Sequence, residues 1–91
     1  MNKRLTAHFS GMVQGVGFRF TAQSVARQFA VTGYVRNLPN GQVELAAEGE
    51  EEVLREFLRA VRESAMSNYI RDVETKWSEA ENKYTRFSIA T

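Results

Sequence analysis

The sequence contains no cysteine, a single histidine and a single proline. The first absence excludes a disulfide framework, a thiolate nucleophile and any cysteine-based zinc site, and a lone histidine cannot build a metal centre with other histidines. Uninterrupted apolar runs are missing too: none approaches the roughly 18 residues of a membrane-spanning helix, and the basic start MNKRLTAHFSG is not followed by the apolar stretch of a secretory leader. The expectation is a cytoplasmic protein without a membrane partner. Charge of one sign is also absent, because twelve Lys+Arg against eleven Asp+Glu leave a formal net charge of +1. No overall basic field favours nucleic acid, so any recognition of an anion must be local.

What is present is a periodic chain whose 91 residues suit one domain, 1–91, built as two packed layers. Leu5, Ala7 and Phe9 alternate with Thr6, His8 and Ser10, predicting a half-buried strand that stops at Gly11. From Phe18 the apolar residues fall at Ala22, Val25, Ala26 and Phe29, one face of a helix expected to reach almost to Gly33. Gly33 to Leu38, the turn Pro39-Asn40-Gly41, and the alternating Val43, Leu45 and Ala47 predict a hairpin. Val53, Leu54, Phe57, Leu58 and Val61 mark a second helix from Glu50 to Glu63, with the acidic run EGEEE read as helix-start chemistry. Val73, Thr75 and Trp77 share a strand face, and Phe87 with Ile89 forms a short last strand. The order βαββαβ with one extra C-terminal strand predicts an α+β fold. Its expected form is a ferredoxin-like two-layer sandwich with helices on one face of a mainly antiparallel sheet.

The stretch Gly11-Met12-Val13-Gln14-Gly15-Val16-Gly17-Phe18-Arg19 places two glycines and a cation at a strand-to-helix junction. A positive charge in the first turn of a helix is mildly unfavourable, by about 0.3–1 kcal/mol, unless something negative arrives. A glycine-rich turn before a helix can aim consecutive N–H groups into one concavity, an anion nest suited to phosphate. Arginine adds a planar fork of donors. Neither common nucleotide loop fits: no Gly-Lys-Ser/Thr closes the turn, and Phe20 stands where a dinucleotide fingerprint has its third glycine.

This stretch resembles the signature of the acylphosphatase family. Gly33-Tyr34-Val35-Arg36-Asn37, followed by Gly41, Val43 and Gly49, is similar to that family's second motif. The resemblance spans nearly the whole chain. Its departures are Phe9, where the family usually has a branched aliphatic residue, and Ser64-Ala65-Met66-Ser67, which lacks the usual Gly/Pro character. The resemblance implies hydrolysis of the carboxyl–phosphate anhydride of an acyl phosphate, with no cofactor, metal or covalent intermediate. It implies that the loop Gln14, Gly15, Val16, Gly17, Phe18 and Arg19 cradles the phosphoryl oxygens, that Arg19 orients them, and that Asn37 holds the attacking water. Inorganic phosphate and sulfate are then expected ligands of the site, and the chain is expected to act as a monomer.

Other residues invite plainer readings: His8 as an ordinary strand residue, Tyr34 and Trp77 as packing, Arg27 and Arg36 as surface charges. RNA-recognition domains share the βαββαβ plan, but the strand Gln42 to Glu48 carries two acids and no aromatic on which a base could stack. A related domain handles carbamoyl phosphate at the front of a hydrogenase maturation protein. Here no linker or zinc motif follows Ile89-Ala90-Thr91, which favours a freestanding enzyme.

Overall fold

In a computed structural model describing residues 1–91, β1 (Asn2–Gly11) leads through a loop to α1 (Phe18–Ala26). The hairpin β2 (Thr32–Asn37) and β3 (Val43–Glu50) follows, then α2 (Glu51–Arg62), a single 3₁₀ turn, β4 (Ile70–Glu79) and β5 (Phe87–Ile89). The sheet order is β4-β1-β3-β2-β5. All neighbours run antiparallel except β2 and β5, which are parallel. This is the ferredoxin-like α+β sandwich the periodicity predicts.

Period two decides which residues meet the helices. Leu5, Ala7 and Phe9 of β1, Val35 of β2, and Val43, Leu45 and Ala47 of β3 are buried on one face. Against them α1 lays Phe18, Ala22 and Ala26, and α2 lays Leu54, Phe57 and Val61. Phe18 meets Phe9 with ring centroids 4.9 Å apart, anchoring the first turn of α1 over the end of β1. Burying a side chain of that size contributes about 1.5–3 kcal/mol.

Two expectations are corrected. The first helix stops at Ala26, well short of Gly33, because the N–H groups of Arg27, Gln28 and Phe29 tighten onto carbonyls three residues back. Phe29 nevertheless reaches the core, 5.8 Å from the Phe57 ring, so its place in the apolar pattern reflects packing and not helix. The second correction concerns EGEEE. Glu51 and Glu52 do occupy the first turn of α2, but β3 continues through Glu48, whose side chain turns to the sheet face opposite the helices.

β4 and β5 occupy opposite edges, so the connection between them must cross the sheet. Glu48, only 3% exposed, receives this connection. Its carboxylate accepts the backbone N–H groups of Glu81 at 2.8 Å and Asn82 at 2.9 Å, and the Arg4 guanidinium at 3.2 Å.

Candidate active site

β1 and β2 both pair antiparallel with β3, so their C-terminal ends lie at the same end of the sheet. One cross-strand row there is Phe9, Val43 and Asn37, which share the helix-facing side. Since Phe18 packs on Phe9, the start of α1 and Asn37 belong to one corner of the molecule. A bulge between Ser10 and Gly11 ends the β1 register and turns the chain into the loop.

The loop has the backbone signs of a nest: Gly15 at φ 77°, Gly17 at φ 88°, and Val16 between them at negative φ. A Cβ at either glycine would meet open space, so it is the left-handed backbone and not crowding that calls for glycine. From Gln14 through Phe20 no backbone N–H donates to a protein acceptor; the first bond closing α1 is Thr21 N–H to the Gly17 carbonyl at 3.0 Å. Gly17 is the N-cap without a side-chain cap, and no acid stands in the first turn. The positive end of the helix dipole is therefore left without an internal anion. Arg19, half-buried in the same turn, has no ion pair and no hydrogen bond to the protein. The Asn37 amide, also half-buried, is unpartnered as well. A run of donors, a guanidinium fork and a free amide at one corner can hold a tetrahedral oxyanion and a water beside it.

Gln14 acts differently from its loop neighbours. Its side-chain Nε2 donates to the carbonyls of Leu38 and Gln42, both at 2.8 Å, strapping the loop to the β2–β3 hairpin directly after Asn37. Gln42 adds a second tie, donating to Ser10 Oγ at 2.9 Å. Together they fix the distance between the nest and Asn37 from both sides. Sequence periodicity has no signal for such ties, since both glutamines sit at loop or turn positions where polar residues are unremarkable.

Residues given plainer readings gain partners on the far face. Glu44 accepts the Tyr34 hydroxyl at 2.9 Å and Arg36 Nε at 2.8 Å, and pairs with His8 Nε2 at 2.9 Å. Arg36 is thus part of a network, not an isolated surface charge. Burial pushes the Glu44 carboxyl up, but the hydrogen bonds from His8, Tyr34 and Arg36 outweigh it and hold the group below its ordinary 4.5. Glu48 follows the same pattern, its burial outweighed by the Glu81 and Asn82 N–H groups and by Arg4. No group of three His, Asp or Glu side chains converges as a metal would require, and no helix is long and apolar enough to cross a membrane.

The fold and this corner together define a two-layer α+β domain with a glycine-rich loop of unpartnered N–H groups at a helix N-terminus. A model of the acylphosphatase family matches residues 5–89. An acylphosphatase of Archaeoglobus fulgidus is 46% identical over 86 residues, covering 94% of this chain and 96% of that protein. The crystal structure of an acylphosphatase from Bacillus subtilis is 34% identical with a TM-score of 0.89, covering 98% of this chain and 99% of that one. T. kodakarensis HypF is 28% identical with a TM-score of 0.83, but this chain covers only 12% of it. The chain belongs to the acylphosphatase family of enzymes.

Proposed function

We propose that the chain hydrolyses acyl phosphates to carboxylate and inorganic phosphate by direct in-line attack of water. The observation that carries this reading is the run of unpartnered N–H groups from Gln14 to Phe20 around an unpaired Arg19, at the same corner as Asn37. Phosphoryl transfer asks the protein for positioning and for compensation of charge on three equatorial oxygens, which backbone donors and one guanidinium supply. Arg19 forks onto two of those oxygens and the nest takes the third.

Asn37 holds the water through an acceptor and a donor, orienting it without deprotonating it. The water oxygen bonds to phosphorus as the bond from phosphorus to the acyl oxygen breaks, with its electron pair leaving on the carboxylate. The water's proton passes to a phosphoryl oxygen. Because the leaving carboxylate is a weak base, no general acid is needed on that side. On this reading the chain works as a monomer, needs neither metal nor covalent intermediate, and binds phosphate or sulfate at the same loop.

The test is hydrolysis of an aryl acyl phosphate in excess chelator, beside a simple phosphate monoester. Undiminished acyl phosphate turnover and poor monoester turnover are expected, since an alkoxide leaving group needs protonation or a metal. Chelator-sensitive turnover, or a preference for the monoester, overturns the reading.

A further inference from the structure

Away from this corner, a groove of about 340 Å³ lies between α2 and the edge strand β4. That is within the range of small-molecule sites, about 300–1,000 Å³. Its floor is apolar, with Leu58 and Trp77, and its rim carries Arg55, Arg59 and Arg62. Helical pitch sets these three arginines in one stripe facing β4. Arg55 is already committed, bonded to Glu51 at 2.8 Å and lying 4.9 Å from the Trp77 ring centroid. Arg59 and Arg62 are exposed and have no carboxylate partner. Glu63 is the only acid on the lining, so the rim is net positive.

We propose that this groove is a second, non-catalytic site for a small organic phosphate, its phosphate on Arg59 and Arg62 and a planar group against Leu58 and Trp77. A nucleoside monophosphate carries both parts. Guanidinium forks match phosphate oxygens in pairs. The Arg55 guanidinium lies 4.9 Å from the Trp77 ring centroid, and a purine entering the groove takes that place over the indole while Arg55 stays on Glu51. Neither half is sufficient alone: free phosphate reaches only the rim, and a nucleoside only the floor. The groove shares no residue with the loop Gln14–Arg19 or with Asn37.

Trp77 is the chain's sole tryptophan, so its indole N–H signal in a nitrogen–proton correlation spectrum is unambiguous, and the arginine substitutions below separate this groove from the neighbouring hollow at Lys3 and Glu51 that Trp77 also lines. Adenosine monophosphate is expected to shift that signal saturably, with inorganic phosphate or adenosine binding at least about tenfold more weakly. The double variant Arg59→Gln, Arg62→Gln keeps exposed helix-forming side chains, so it should fold and hydrolyse acyl phosphate as before. It should lose about tenfold or more in affinity for the nucleotide. Arg19→Ala should leave the Trp77 response intact. No saturable shift, a shift of equal affinity with inorganic phosphate alone, or one that survives the double substitution overturns the proposal.

Discussion

Arg19 and Arg36 lie one in each of the two signature stretches, yet the molecule treats them in opposite ways. On the open sheet face, Arg36, Tyr34 and His8 all converge on Glu44, and Arg4 with two backbone N–H groups converges on Glu48. Glu44 and Glu48 are each met by several donors, and no buried side-chain polar atom is left unsatisfied. At the corner of β1, α1 and β2, donors outnumber acceptors: a row of N–H groups, a guanidinium and an amide have nothing of the protein's own to bind. Identical chemical groups stabilise the fold where their partners are internal, and are available to a ligand where they are not.

Replacing Arg19 should expose this contrast most strongly. Arg19→Lys keeps the charge but loses the planar fork, so on the proposed mechanism turnover should fall by about a hundredfold to a thousandfold, the loss typical of one preorganised donor to a developing oxyanion. Folding should survive, since Arg19 bonds to nothing in the protein. Circular dichroism beside steady-state kinetics checks both halves, and a folded Arg19→Lys enzyme with near-native kcat would remove the fork from the mechanism.

Asn37→Ala divides the corner itself. If Asn37 holds water while the nest and Arg19 hold phosphate, kcat should fall by about a hundredfold with KM little changed. Stabilisation by inorganic phosphate should persist, about 2.7 kcal/mol at a hundred times its Kd. Thermal-shift titration decides it: loss of phosphate protection with turnover retained would make Asn37 a phosphate ligand or a turn residue.

On the other face the effect should appear in stability and leave turnover alone. Glu48→Gln turns an NH₂ group toward the N–H donors of the β4–β5 connection and should cost about 1–3 kcal/mol of folding free energy, or roughly 4–8 °C in Tm per kcal/mol. Because the carboxyls of Glu44 and Glu48 are both held below their ordinary 4.5 in the folded chain, their contribution is present above that pH. It is lost as the pH falls through the depressed folded values. Denaturant titration down an acid series should show this loss in the parent and a shallower decline in Glu48→Gln.

The smallest change belongs to the strap between the two regions. Gln14→Leu leaves the carbonyls of Leu38 and Gln42 without its amide, at a cost of about 1 kcal/mol, and loosens the nest relative to Asn37. Turnover should drop several-fold more than stability alone explains. A variant that loses stability but retains full kcat would show that the hairpin needs Gln14 and the site does not.

Alternation in β1 and β3, the helical spacing of Phe18, Ala22 and Ala26 and of Leu54, Phe57 and Val61, and the turn chemistry at Pro39-Asn40-Gly41 are local properties of the chain. They are legible in order because each depends on neighbours within a few residues. The glycine pair and the cation beyond it are equally local, which is why the sequence alone pointed to an anion nest before any contact was known. It could not say where helix periodicity would end and mere packing begin, as at Phe29. Nor could it assign Glu48 to a buried bond with a connection 33 residues away, or give Gln14 its two carbonyls across the hairpin. Those outcomes depend on which strand edges the chain must cross and which unmet backbone groups come within hydrogen-bond distance once it has crossed them. Only the tertiary structure brings such partners together, because a hydrogen bond forms between groups close in space, whatever their separation along the chain.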